Sequence, residues 1–175
     1  MAETPGARHW IMRSAFVALA LAILFWQLLP LSTVPRNWTG PDFLLVTVMA
    51  WVLRRPDYAP VFAVAAIMLL ADFVLGRPPG LMAGVTVFAC EKLRKRVLTS
   101  AEMAFPVEWL TAATAMALII ISTRVITAIF LLPQPSLGLT LIQLIMCILA
   151  YPLVAALCAV LLGIRKTRFR EGEAT

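Results

Sequence analysis

The sequence has few of the residues from which enzyme active sites are built. Charged residues make up only 14% of the chain, and the single histidine is His9, near the N-terminus. There is no H-E-x-x-H motif and no glycine-rich phosphate loop. Ser122 and Thr123 lie beside Arg124, but a nucleophile would need a base that the sequence does not show. We therefore expect a protein that is not an enzyme and uses neither a metal nor a cofactor.

Cysteine is also scarce, and its spacing excludes two further classes of protein. The three cysteines, Cys90, Cys147 and Cys158, are an odd number without C-x-x-C spacing or neighbouring histidines. A disulfide framework and a zinc site both need a different pattern. We expect all three to be small apolar packing residues.

Long apolar runs, by contrast, are abundant and indicate the class of the protein. Hydrophobic residues make up 62% of the chain, against about half in soluble proteins. Residues 14–35 carry no charge, and neither do residues 125–164, a run longer than one membrane crossing of about 20 residues. The first run is longer than a signal-peptide core and ends in LLPLSTVP, without an A-x-A-like cleavage site there. The sequence predicts an all-α polytopic membrane protein with a retained first helix.

Six apolar segments can be counted, which predicts six transmembrane helices. Their approximate bounds are residues 13–31, 41–53, 59–75, 79–91, 106–132 and 137–164. They form one membrane domain, residues 13–164, between a short N-terminus, residues 1–12, and a basic tail, residues 165–175. The second and fourth segments are too short to cross about 30 Å of hydrocarbon without local thinning, so a re-entrant or interfacial position stays open for them.

The basic residues indicate an orientation rather than nucleic-acid binding. The formal net charge is +6, and the lysines and arginines, apart from Arg124, lie at the ends of the apolar runs. With the N-terminus inside, twelve of them fall on the cytoplasmic side and two, Arg36 and Arg77, on the outer side. This asymmetry predicts a multi-pass inner-membrane protein with both termini in the cytoplasm.

One cytoplasmic loop, residues 92–105, combines basic and apolar residues. Its basic cluster could meet anionic membrane lipids or an acidic partner, or it could be an ordinary positive-inside loop. Thr99 and Glu102 have the spacing of a capping box, which predicts a helix start near Ser100.

Two charged residues, Asp72 and Arg124, interrupt apolar segments. An ionisable group within a span costs roughly 2.5 to 3.5 kcal/mol at the centre and less near the ends. Both lie in the outer half of their predicted helices, so we expect them to pair or to share a polar pocket with Asp42. Such a pocket could receive a partner or ligand, or it could be a buried ion pair that only fixes helix packing.

Glycine and proline predict how the helices turn and pack. Gly76 is expected to end the third helix, and residues 76–80, G-R-P-P-G, form a tight outer hairpin. Gly80 and Gly84 form a G-x-x-x-G pattern that would let the fourth helix approach a neighbour closely. Pro152 is expected to kink the sixth helix and to leave carbonyl groups that neighbours must satisfy.

These segments together resemble the bacterial rod-shape-determining MreD family. The resemblance rests on PDFLLVTVMAWVLRRP, on an apolar run that closes in D-x-x-x-G-x-x-x-G-L, and on Tyr151-Pro152 followed by a basic tail. It implies a non-enzymatic scaffold of the cell-elongation complex. The implied partners are a periplasmic MreC-like protein, MreB filaments, the RodA glycosyltransferase and its class B penicillin-binding protein.

The resemblance also implies a fold and a set of site residues. The fold would be similar to the six-helix substrate-binding subunits of energy-coupling-factor vitamin transporters, and Pro41, Asp42, Asp72, Gly76 and Gly80 would shape an outer pocket. Arg77, Pro78 and Pro79 depart from the family pattern. The likeness leaves a vitamin-transporter subunit as the alternative function, although a shared fold alone does not assign transport.

Overall fold

The computed structural model describes residues 5–29, 40–99 and 104–161, and within these ranges all regular secondary structure is helical. The described ranges form six α-helices and no strand, which confirms the predicted all-α class. The helices are α1 (Pro5–Leu28), α2 (Phe43–Arg54), α3 (Val61–Val74), α4 (Leu81–Thr99), α5 (Phe105–Ile129) and α6 (Leu137–Leu161). One 3₁₀ turn, Pro56–Tyr58, joins α2 to α3.

Three of these helices have the length and composition to cross a membrane. They are Arg8–Leu28 within α1, Phe105–Ile129, which is α5, and Leu137–Val160 within α6. Helices α2 and α3 are apolar but have only 12 and 14 residues. The chain is therefore a membrane protein by its helices, and the crossing of all six remains a prediction.

Helix α2 lies at the centre of the molecule. All ten residues from Leu44 to Leu53 are buried, and α2 contacts α1, α4, α5 and α6. A helix that is apolar on every side belongs inside a bundle, which is where its sequence places α2. Trp51 packs against Phe16 of α1 with ring centroids 5.2 Å apart. The helix ends at Arg54 because Pro56 disfavours helical geometry in the residue before it.

Helices α3 and α4 form a tight hairpin, as the sequence predicts. Gly76 and Gly80 have φ angles of +65° and +81°, in the left-handed region that glycine adopts without strain. Gly80 therefore belongs to the turn. Gly84 is exposed, and a Cβ atom added at this position would have no neighbouring atom within 4 Å. The G-x-x-x-G face predicted on the fourth helix is thus not a packing face in this fold.

Two helix boundaries differ from the predicted ones. Helix α1 begins at Pro5, well before residue 13, because proline is favoured in a first turn and nothing after Gly6 breaks the helix. Helix α4 continues past Glu91 to Thr99, because residues 92–96 are good helix formers. Helix α5 begins at Phe105, and the predicted start near Ser100 lies outside the described residues. The basic tail and residues 1–4 lie outside them too.

Helix α6 continues through Pro152 without ending. Proline has no N–H to donate to the carbonyl four residues earlier, which belongs to Ile148. The indole Nε1 of Trp109, on α5, donates to that carbonyl at 3.0 Å. A neighbouring helix thus satisfies the group that the proline leaves without its helical partner.

Candidate functional site

A polar cluster, which we call the hairpin cluster, surrounds the start of α2 and the α3–α4 turn. Asp42 caps α2, since its Oδ1 accepts a hydrogen bond from the Leu45 amide at 3.1 Å. Its Oδ2 accepts from the Arg77 guanidinium at 3.0 Å. The Asp42 side chain is only 2% exposed and that of Arg77 is 29% exposed. The ion pair therefore joins the turn of the hairpin to the buried central helix.

Asp72, the second carboxylate of the hairpin cluster, holds the two sides of the hairpin together. It is fully buried, and its Oδ2 accepts from the Ala83 amide at 3.1 Å. Ala83 lies in the first turn of α4, where amides have no partner within the helix and the helix dipole favours a negative charge. The backbone carbonyl of Asp72 also accepts from the Arg77 amide at 2.9 Å. Asp72 Oδ1 is buried without a hydrogen-bond partner among the described residues.

Two sulfur atoms complete the hairpin cluster. The guanidinium of Arg77 also lies 2.8 Å from the sulfur of Met82, and the Asp42 amide lies 3.2 Å from the sulfur of Cys147 on α6. Cys147 is a free, buried cysteine, as are the other two. The cluster thus includes groups from α2, α3, α4, α6 and the hairpin turn.

The structure brings together most of the predicted pocket residues, but the cation that joins them is Arg77 and not Arg124. Asp42, Asp72, Gly76 and Gly80 meet at the hairpin, and Pro41 precedes the helix cap. The predicted pairing of Arg124 with Asp72 is wrong: Arg124 donates to the Pro135 carbonyl at 2.9 Å and to the Thr140 hydroxyl at 2.6 Å. Both acceptors are closer to Arg124 along the chain than Asp72 is. Pro135 lies in the turn from α5 to α6, and Thr140 lies in the first turn of α6.

Arg77 was missed as the partner because it lies next to two prolines and reads as a turn residue. Its position between Gly76 and Gly80 was the feature of the sequence that could have indicated this contact. Positive φ angles at Gly76 and Gly80 fold the turn back over the bundle. The long side chain of Arg77 then reaches Asp42, 35 residues earlier in the chain.

A second polar cluster, which we call the Glu108 cluster, lies at the other end of α2. Glu108 Oε1 accepts from Arg54 Nε at 2.7 Å and from the Tyr151 hydroxyl at 2.8 Å. Arg54 also donates to the Ala155 carbonyl at 2.7 Å. Glu108 is 2% exposed and the Arg54 side chain 10% exposed. The three side chains tie α2, α5 and α6 together.

Sequence reasoning missed the Glu108 cluster altogether. Arg54 and Glu108 each lie at an end of an apolar segment, where charged residues normally face water. Two features of the sequence could have indicated the cluster. Glu108 lies two residues after Pro106, on the first turn of α5, and Tyr151 lies beside Pro152 of α6.

The two clusters hold α2 at both ends with charges that complement its dipole. Asp42 lies at the N-terminal end and Arg54 at the C-terminal end, where negative and positive charges respectively are favoured. Twelve residues separate these positions, or about 18 Å along the helix axis. At each end of α2 one acid is paired with a base of the same chain, Asp42 with Arg77 and Glu108 with Arg54. Such an arrangement positions helices.

An apolar cavity lies between α1, α2 and α6. Its volume is about 540 Å³, and it is lined by residues between Leu19 and Trp26 of α1, by Phe43 and Thr47 of α2, and by residues between Leu153 and Cys158 of α6. None of the predicted pocket residues lines it. Thr47 supplies the only hydroxyl group of the lining.

The described residues contain no group of three histidine, cysteine, aspartate or glutamate side chains that could hold a metal ion. No family model, no curated protein and no solved structure matches the sequence. The class of membrane protein therefore rests on the length and composition of the helices.

Proposed function

We propose that this protein is a non-enzymatic membrane scaffold of the bacterial cell-elongation complex, the role that its resemblance to the MreD family implies. One observation supports this most strongly. The residues that carry the resemblance around the hairpin, Asp42, Asp72, Gly76 and Gly80, converge on one cluster although 38 positions separate the first from the last. Residues that converge in this way act as one structural unit.

The scaffold works by holding α2 rigid and presenting the hairpin. The two ion pairs and the N-cap fix α2 within the bundle. The hairpin is then held in one conformation, with Phe73 at 64% and Val74 at 38% exposure beside the turn. Exposed apolar side chains on a rigid turn fit the transmembrane segment of a partner, for which an MreC-like single-span protein is our proposal.

The proposed setting is the bacterial inner membrane, with six crossings and both termini in the cytoplasm. The twelve-to-two distribution of basic residues supports this orientation. Under this topology the hairpin cluster lies in the outer half of the membrane, toward MreC, RodA and the penicillin-binding protein. The basic ends of the helices face the cytoplasmic MreB filament.

The apolar cavity favours a second candidate function, the vitamin-transporter subunit. Its volume of about 540 Å³ is within the range of small-molecule sites, roughly 300 to 1,000 Å³. Such sites usually place several polar groups to orient the ligand. Here Thr47 provides the only hydroxyl, and the carboxylates lie elsewhere. We therefore rank the scaffold first.

Partner recovery from membranes tests the scaffold role. The protein, tagged and expressed in its native host, is solubilised and its co-purified MreC-like protein is quantified. Asp72→Ala removes the acceptor that holds Ala83, so we expect recovery to fall several-fold at equal abundance. Asp57→Ala is the matched control because Asp57 is exposed in the 3₁₀ turn, and it should change nothing. Equal recovery with Asp72→Ala and wild type would exclude the hairpin cluster from partner binding.

A further inference from the structure

The C-terminal half of α4 forms a basic surface that the two polar clusters do not include. The helix runs eight residues past Glu91, or about 12 Å. Residues 91–96 contain four basic residues and one acidic one. Lys92, Lys95 and Arg96 are exposed, and Leu93 on the opposite side is only 8% exposed.

This end of α4 is fixed to the bundle, which orients its exposed side. Arg94 donates a hydrogen bond to the Ala59 carbonyl, at the end of the 3₁₀ turn. The Nε atom of Arg94 lies 3.8 Å from Oε1 of Glu91, one helical turn earlier. Leu93 packs in the hydrophobic core. Arg94 and Leu93 therefore hold the inner side, and the other three cations project outward.

The outward side of α4 is continuous with an exposed apolar face. Gly84 and Phe88 are exposed on it, Phe88 at 65%. With 100° per residue, these two residues and the three exposed cations fall within about 120° of the helix circumference. On a membrane protein, an exposed apolar face of this kind is suited to contact with lipid tails. The side that begins apolar at Gly84 becomes cationic one turn after Phe88.

Lys92 marks the boundary between these two regions. Its Nζ lies over the Phe88 ring, 5.4 Å from the ring centre, so its charge is directly beside the apolar part of the face. The cationic and apolar parts of this side of α4 therefore adjoin each other, as the phosphate and the acyl chains of a lipid do.

From this geometry we propose that Lys92, Lys95 and Arg96 form a binding site for the phosphate headgroups of anionic lipids. The acyl chains of the bound lipid lie along Gly84 and Phe88. A lipid fits both parts of the surface, whereas a soluble acidic protein would use only the cations. The site is independent of the scaffold role proposed above.

Calorimetric titration of the purified full chain in neutral detergent tests the site. The ligand is dioctanoyl phosphatidylglycerol, and dioctanoyl phosphatidylcholine and glycerol 3-phosphate are titrated separately. We expect saturable binding of phosphatidylglycerol that weakens with added NaCl. The triple variant Lys92→Gln, Lys95→Gln, Arg96→Gln should raise Kd by at least about fivefold, the effect of a single cation near a membrane surface.

Two further variants separate a specific site from general charge attraction. Arg165→Gln, Lys166→Gln, Arg168→Gln removes three cations from the tail and should change Kd less than about twofold, well below the effect of one lost surface cation. Lys92→Arg, Lys95→Arg, Arg96→Lys keeps the charge, and its Kd should match that of wild type. An equal effect of the tail variant, or salt-independent binding, would overturn the site. Binding of glycerol 3-phosphate as tight as that of the lipid would also overturn it, because the acyl chains would then contribute nothing.

Discussion

Glu108 shows how this protein tolerates a charge in an apolar setting. Its carboxylate accepts hydrogen bonds from Arg54 and Tyr151, and burial removes most of its contact with solvent or lipid headgroups. A buried pair contributes modest net stability, but removal of one partner leaves the other uncompensated, at a cost of about 3–5 kcal/mol. The pair should therefore behave as a unit in mutagenesis.

Arg54→Met should lower the free energy of unfolding by about 3–5 kcal/mol, because Glu108 loses its cation. Arg54→Met combined with Glu108→Gln should recover more than half of that loss, since the double variant buries no charge. Reversible unfolding in mixed detergent micelles measures both values. Additive effects of the two substitutions would contradict the pairing.

Trp109 and Pro152 form a second pair whose coupling can be measured. Trp109→Phe removes the indole donor and leaves the Ile148 carbonyl unpaired, which should cost about 1–3 kcal/mol of unfolding free energy. Pro152→Ala restores an amide that can donate to the same carbonyl within the helix.

In the Pro152→Ala background, Trp109→Phe should therefore cost well under about 1 kcal/mol. The same detergent-unfolding assay applied to the four proteins gives the coupling. A cost that is unchanged by the loss of the proline would show that Trp109 stabilises the fold by packing alone.

At the scale of the residue, the sequence shows which charged residues are costly to bury more readily than it shows which residues they pair with. Asp72 stands out because it interrupts an apolar run. Depth along a helix indicates Arg124 as its partner, but depth says nothing about which side of a helix faces which neighbour. Arg77 reaches Asp42 only because of the backbone angles of the hairpin, which are a property of the folded turn.

At the scale of the element, the α3–α4 hairpin depends on two glycines in left-handed conformations. Gly76→Ala or Gly80→Ala should each destabilise the fold by about 1–2 kcal/mol, because a Cβ disfavours φ angles of +65° and +81°. Denaturation midpoints in detergent provide the measurement.

Gly84→Ala is the matched control for the hairpin glycines. Gly84 lies within α4 with open space around it, so alanine should be neutral or stabilise the helix by up to about 1 kcal/mol. Destabilisation at Gly84 equal to that at Gly76 would mean that close helix packing, rather than turn geometry, explains the glycines.

Apolar runs predict the existence and order of the helices well, because each helix must place its apolar side chains in the core or in lipid. The ends of the helices are less predictable where charged residues begin. The basic residues after Glu91 read as a loop, yet they continue α4, because lysine, leucine and arginine favour helix and Arg94 contacts Ala59. A charged segment next to an apolar helix can thus be its amphipathic extension.

At the scale of the whole molecule, α2 is the element on which the others assemble. It is too short to cross a membrane unaided, yet ten of its twelve residues are buried. Ion pairs at both of its ends connect it to the hairpin, to α5 and to α6. A rigid centre of this kind suits a protein that organises partners.

Cell shape during depletion of the protein in its native host tests the scaffold role most directly. Cell width and length are followed by microscopy as the protein falls, with re-expression of the wild-type chain as the control. The elongation role predicts that cells round or swell before growth stops, and that re-expression restores the rod shape. Cells that keep their shape and regain growth when a vitamin is added would contradict the scaffold role and assign the protein to transport.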